Sequence, residues 1–267
     1  MVALLALLLA AGALVMSLTG SPPRGAVPGA TVGRGEGVAL AAVRAPGSDL
    51  QGRVRVPVTD RLPARLPSSG VPAGWKVAAF AGEASIELVR NEGRVAVRLR
   101  SEGTSFALHR DVVVDVREYP ILTWSWKMAR LPAGGDVRDS ARDDQAAQVY
   151  VVFPRWPSPR TNSDVIGYVW DSRAPAGTTL THPRAPNVRV VVLQSGGRRR
   201  DTWVREQRNL AEDYRTLFGG QPPRVGKVAL MIDSNDTRGA AEALFGDLAF
   251  GRPGSAQHTD IPIAMLR

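Results

Sequence analysis

The chain has 267 residues, 44% hydrophobic and 22% charged, which excludes a disordered chain or a polytopic membrane protein and leaves room for one sizeable core. It contains no cysteine, which excludes a disulfide framework, a thiol nucleophile, a zinc-thiolate site and lipid attachment through cysteine. The formal charge of +9 invites a nucleic-acid partner, but the cations are scattered, almost all arginine, and accompanied by no recognition motif, so none is expected; acidic glycans or an anionic cell surface suit the charge at least as well.

Residues 2–16 form an uninterrupted apolar run, followed by Ser17, Thr19, Gly20, Ser21 and the pair Pro22-Pro23. That is the size of a signal-peptide core and somewhat short for a spanning helix. The expectation is export to the periplasm or medium, with membrane contact only through this segment if it stays uncleaved. Residues 21–55 are rich in Pro, Gly, Ala and Arg without sustained periodicity and read as a linker. Gly33, Gly35 and Gly37 lie within it with no strand ahead of them, so they do not form a phosphate-cradling loop.

From Val54 onward the pattern changes to short alternating or β-branched runs punctuated by Gly, Pro, Asp and Asn. Val95, Val97 and Leu99 share one strand face, with Arg94, Arg98 and Arg100 on the other. Phe106 and Leu108 alternate with Ala107 and His109, and Val112, Val114 and Val116 follow. Strands are predicted at 121–128, 147–153, 165–170, 189–194, 202–207, 225–232 and 242–250. The run Arg198-Arg199-Arg200, after Ser195-Gly196-Gly197, reads as a solvated turn. One helical pattern interrupts the series: Leu210, Tyr214, Leu217 and Phe218, stopped by Gly219-Gly220 and Pro222-Pro223. Strands this regularly spaced predict an all-β fold, an antiparallel β-sandwich of jelly-roll type with one short helix, over 56–252, with 253–267 as a tail.

Several polar groups are candidates for chemistry. Asp136, Asp139, Asp143 and Asp144 share one loop and supply hard oxygens of the kind calcium takes; the competing reading is a solvated acidic loop balanced by Arg138 and Arg142. Asp233-Ser234-Asn235-Asp236-Thr237 follows an apolar strand and is either a second ligand loop or ordinary turn chemistry. It is not an EF-hand, because Gly239 is one place late and Leu244 stands where a bidentate Glu belongs. Apart from calcium at these loops no cofactor is implied. His109, His182 and His258 have no metal-ligand spacing, and no nucleophile elbow, zinc helix or Walker loop is present.

Trp124 and Trp126 project from one strand face with Leu122 and Met128 and read as core. Tyr150 and Trp170 are the candidate platforms for stacking on a pyranose, Trp170 because it ends its strand beside Asp171-Ser172. Arg205, Glu206, Arg208, Asp213 and Arg215 surround the helix. If strand ends meet at one rim, Asp143, Asp144, Glu206, Asp233, Asn235 and Asp236 gather as a polar pocket, and two carboxylates at a suitable spacing would form a glycosidase-like pair.

An ordered set of segments resembles the bacterial exported family known as domain of unknown function 3047. The segments are Tyr119-Pro120-Ile121-Leu122-Thr123-Trp124-Ser125-Trp126-Lys127, Asp143-Asp144 before Val149-Tyr150-Val151-Val152-Phe153, and Ile166-Gly167-Tyr168-Val169-Trp170. After them come Trp203 to Glu206, Asp213-Tyr214-Arg215 with Phe218-Gly219, and Val228 to Thr237 closing on Phe245-Gly246-Asp247-Leu248-Ala249-Phe250. That resemblance implies no activity. More distantly, the pattern is similar to galactose-binding-like jelly rolls, including carbohydrate-binding modules, which implies a sandwich that binds carbohydrate or another cell-envelope ligand. The alternatives are a polysaccharide hydrolase on the same fold and a non-catalytic envelope assembly factor. The export expectation is checked by mass spectrometry of the protein from its native host: the mature chain lacks roughly the first 20 to 30 residues, whereas an intact N-terminus on a cytoplasmic species overturns it.

Overall fold

The computed structural model describes residues 48–49, 52–157 and 162–254. The expected signal segment, most of the linker and residues 255–267 of the tail lie outside the described residues. In chain order the first strands are β1 (Val54–Val56), β2 (Ser68–Ser69), β3 (Lys76–Ala81), β4 (Ser85–Asn91), β5 (Arg94–Glu102), β6 (Ser105–Val114) and β7 (Ile121–Arg130). Next are β8 (Ala147–Phe153), β9 (Asp164–Asp171), β10 (Thr179–Thr181), β11 (Val188–Ser195) and β12 (Trp203–Asn209). Helix α1 (Leu210–Phe218) precedes β13 (Val225–Asp233), β14 (Ala240–Phe245) and β15 (Leu248–Gly251). No described helix is long and apolar enough to cross a membrane.

The strands form two sheets. The front sheet runs β1-β15-β7-β14-β5-β4-β2 with β12 on the free edge of β7, and the back sheet runs β10-β11-β9-β8-β13-β6-β3. All neighbours pair antiparallel except β9 and β11, which are parallel. Between the sheets, Leu122, Trp124, Trp126 and Met128 of β7 meet Val149, Val151 and Phe153 of β8 and Ile166, Tyr168 and Trp170 of β9 in one buried cluster. Trp124 is edge-on to Trp126 at 5.4 Å between ring centroids, and Trp126 reaches Trp170 across the layers at 6.0 Å. Rings this large carry much of the core's burial, so the alternation of large residues along β7 sets its inward face.

Two sequence expectations need correction. The tract read as a linker ends too late, because Val54 and Arg55 already pair with Phe250 and Ala249. The strand expected at 242–250 is two strands: β14 pairs with β5 and with one end of β7, then Gly246 and Asp247 break the ladder, and β15 pairs with β1 and the other end of β7. The Gly246 N–H donates to Ser125 O at 2.9 Å. A side chain at Gly246 would place its Cβ 2.6 Å from Ser125 Oγ, which explains glycine at the break.

Helix α1 starts where Asn209 Oδ1 accepts the N–H groups of Ala211 and Glu212 and stops at Gly219, whose N–H donates to Arg215 O. Leu210 and Tyr214 anchor it on the inter-sheet core.

The sheets differ in how they meet solvent. Every residue of β8, β9 and β13 is buried, whereas β7 alternates between buried and half-buried positions over most of its length. On the outside of the back sheet, Tyr150, Val152, Val165, Val169, Val190 and Met231 are covered by Val137, Ala174 and Ala185 from the loops that cross it. Gly167 makes room there for the Tyr150 ring: a Cβ at Gly167 would sit 2.6 Å from Tyr150 Cε1. Gly167→Ala is therefore expected to cost about 1–3 kcal/mol by overpacking. Gly197→Ala, where an added Cβ meets nothing within 4 Å, is expected to change stability little. Urea denaturation of both variants measures this, and equal midpoints would remove the packing account.

Candidate functional site

The two acidic loops come together on the back side of the sandwich. Asp144, fully buried, accepts the N–H of Asp236 at 3.0 Å on Oδ1 and that of Thr237 at 2.6 Å on Oδ2. Asp143 contacts His182 Nε2 at 2.8 Å, and Asp236 pairs with Arg184. Asp233 accepts the Asn235 N–H and shares a hydrogen bond with Asp144; burial, then the Asp144 charge, pushes its carboxyl well above the ordinary 3.8. Asp136, buried, and Asp139, half-buried, are neutralised by Arg138 at 2.7 Å and Arg142 at 2.8 Å respectively. Arg138 holds the Asp136 carboxyl below its usual range.

These contacts assign the carboxylates to docking one loop on another. Among the described residues no group of three or more His, Cys, Asp or Glu side chains is arranged to hold a metal ion. Both oxygens of Asp144 are taken by backbone N–H groups, which commits that carboxylate to the loop contact. Of the two residues that complete the cluster, His182 was set aside in the sequence for want of a metal-ligand spacing and Arg184 was not singled out. They lie in an irregular loop whose path only the fold defines.

The expected stacking platforms are not exposed. Tyr150 is 2% exposed, with its hydroxyl donating to Gln148 Oε1 at 2.7 Å, and Trp170 is 1% exposed, with its indole N–H donating to Gly196 O at 3.0 Å. Asp171, the polar neighbour that made Trp170 look like a strand-end residue, is itself buried. Its carboxylate accepts the N–H groups of Val137, Arg173 and Ala174. Glu206 stands apart from the acidic loops, accepting from Trp126 Nε1 at 3.1 Å and Gln194 Nε2 at 2.8 Å, and burial raises its carboxyl.

Arg205, next along β12, points the other way, onto the open face of the front sheet. There a groove of about 300 Å³ is lined by Thr123 and Ser125 of β7, Ala249 of β15, Trp203, Asp247 and the arginines 53, 55, 94 and 205. The register explains the trough: Arg205 pairs with Ser125, Trp203 with Lys127, Ala249 with Thr123, and Arg55 with Ala249. Cross-strand partners share a face, so short side chains at the centre are ringed by long ones at the sides. The tip of the β4–β5 hairpin closes one end, where Asn91 accepts from Trp203 Nε1 at 2.9 Å and Glu92 from Lys127 Nζ at 2.6 Å. Trp203 packs against Val89, Ala96 and Leu244, and the Arg94 guanidinium lies 4.8 Å from its ring centroid.

Of this groove only Arg205 stood among the sequence candidates. A signal for the rest was present in Thr123 and Ser125, small polar residues alternating with Leu122, Trp124 and Trp126 along one strand. They mark a polar face on a central strand.

A family model described as "Protein of unknown function (DUF3047)" matches residues 73–249. No protein with a curated description matches the chain. Among solved structures, the chain is similar to the family 30 carbohydrate-binding module of the cellulosomal cellulase Cel9D-Cel44B of Clostridium thermocellum, at 11% identity and a TM-score of 0.40, covering 76% of this chain and 98% of that one. It is also similar to the endoglucanase Cel12A from Rhodothermus marinus, at 10% identity and a TM-score of 0.40, covering 69% and 99%. A third similar structure is TmCBM61 in complex with beta-1,4-galactotriose, at 11% identity and a TM-score of 0.32, covering 67% and 88%. Likeness this distant carries no argument about what the present chain binds.

The buried cluster has a pH signature. A carboxyl raised in the fold contributes stability below its ordinary value and loses that contribution as pH rises through the raised one. Asp233→Asn keeps a donor toward Asp144 at every pH, so the variant is expected to lose less melting temperature than the unmodified protein from acid to alkaline pH. Parallel profiles in thermal melts would show that Asp233 does not titrate as its burial requires.

Proposed function

The chain belongs to the DUF3047 family, whose description names no activity, and from the open face of its sandwich we propose that it is a non-catalytic binding module holding a carbohydrate chain in the groove across β7, β12, β15 and β1. The observation that carries this is the trough itself. The hydroxyls of Thr123 and Ser125 line its floor and guanidinium groups rise around it, a set of donors and acceptors suited to a polyhydroxylated ligand. The groove lies on paired strands, which hold its groups in fixed register.

Recognition here rests on hydrogen bonds and charge. Trp203, at the side of the groove, has Arg94 over its ring and an apolar cluster against it, so it serves as a wall. Hydrolysis is not favoured, because the groove holds a single carboxylate, Asp247, whose oxygens are taken by Arg55 at 2.7 Å and the Val58 N–H at 2.9 Å. The export expected from residues 2–16 would bring the groove to cell-envelope polysaccharide, and that is the ligand class we assign to it.

A glycan array probed with the purified protein tests the assignment, together with Ala249→Trp, which fills the floor. The unmodified protein is expected to retain saccharides without releasing reducing ends, and Ala249→Trp to bind roughly tenfold or more weakly at an unchanged melting temperature. An array with no retained saccharide, or an Ala249→Trp variant that binds normally, overturns the proposal.

A further inference from the structure

Two of the groove's arginines, Arg94 and Arg205, are treated differently from others on the same sheet face. Farther along β5, Arg98 and Arg100 face the same side as Arg94 and are neutralised by Glu87 and Glu242, at 3.1 and 3.3 Å to the first and 3.4 and 3.5 Å to the second. Of the four arginines that line the groove, Arg53 pairs with Asp49 at 3.2 Å and Arg55 with Asp247 at 2.7 Å, and Asp247 also accepts the Val58 N–H. Arg94 and Arg205 are exposed and form no ion pair with a carboxylate among the described residues.

Cations gathered around a concave surface repel one another, and an anion bound among them relieves that repulsion. Arg94 is also held in place, its guanidinium against the Trp203 ring and that ring pinned by Asn91. An ordered guanidinium presents a planar fork of donors that matches an oxyanion, and it stays charged at every accessible pH.

We infer that the groove takes an acidic saccharide, a polyhydroxylated chain carrying carboxylate or sulfate groups, with Arg94 and Arg205 as the residues that receive the negative oxygens. The inference rests on the carbohydrate reading of the same groove and adds the charge class of the ligand. A single-stranded nucleic acid would also supply anions, but it is bound through stacked bases. The Trp203 ring is occupied by Arg94 and the apolar cluster behind it.

Titration calorimetry of the full chain, at low and at raised salt, separates the cases. The probes are polygalacturonate, carboxyl-reduced polygalacturonate, dextran sulfate, dextran and an oligothymidylate. Binding to polygalacturonate or dextran sulfate, roughly tenfold or more tightly than to its neutral counterpart and weakened by salt, is expected; which of the two binds identifies carboxylate or sulfate as the charge. Arg205→Gln and Arg94→Gln are each expected to lose most of that preference, Arg205→Lys to restore part of it, and Arg98→Gln, on the same face outside the groove, to leave it unchanged.

Equal binding of acidic and neutral chains overturns the acidic assignment and leaves the carbohydrate reading standing. Binding of the oligothymidylate alone, or of no probe, overturns both. Loss of affinity in Arg98→Gln equal to that in Arg205→Gln overturns the site, since it reduces the attraction to overall charge. Thermal melts of each variant confirm that the fold is intact where affinity changes.

Discussion

Asp171 and Asp144 are buried carboxylates at one end of the β8–β9 pair, and between them they accept five backbone N–H groups. Those of Val137, Arg173 and Ala174 go to Asp171, and those of Asp236 and Thr237 go to Asp144. Irregular backbone can lie over an apolar sheet only if its polar groups find partners. These two side chains supply them, which lets Val137, Ala174 and Ala185 seal the outside of β8, β9, β11 and β13. The middle of the back sheet is closed in this way, and the front sheet keeps its open face.

The form of that front face follows from the break at Gly246-Asp247. Because β14 ends and β15 begins there, β7 keeps a partner along nearly its whole length while β5 gives way to β1 on the far side. The hairpin tip at Asn91 and Glu92 lies past the β5–β14 ladder and reaches Lys127 and Trp203 instead. The trough lies between that tip and β1. Its wall side chains are held by pairs of different strength: a cation–π contact for Arg94, an ion pair with Asp247 for Arg55. Exposed pairs of this kind contribute little to stability, about 0–1 kcal/mol, so their arrangement is better explained by the positions they give to charge.

A site made of guanidinium and hydroxyl groups works differently from an aromatic platform. Stacking on a ring discriminates weakly between neutral sugars and is little affected by salt. Charge-assisted hydrogen bonds choose by the placement of oxyanions along the chain and weaken as ions screen them. In this protein the large rings are spent on holding the sheets together: Trp124, Trp126, Tyr168 and Trp170 form a connected series across the core.

Most strands from Val95 onward, their inward faces and helix α1 were legible in the order of residues, because alternation at period two and the 210, 214, 217, 218 spacing are properties of each segment alone, whereas β2, β3, β4 and β10 were not among the strands expected from it. The convergence of Asp144 with the Asp236 loop was legible as a position at one rim, and its role as a backbone anchor was not. The burial of Tyr150 and Trp170 was hidden for a similar reason. Tyr150 faces outward from its sheet and is covered by chain distant in sequence, while Trp170 ends its strand against the turn at Gly196. The groove lay furthest from view: Arg55, Arg94, Arg205 and Asp247 are brought together by pairings between strands far apart in the chain. A local pattern fixes which way a side chain points from its strand; which side chains become its neighbours depends on sheet order and register, and those belong to the tertiary structure alone.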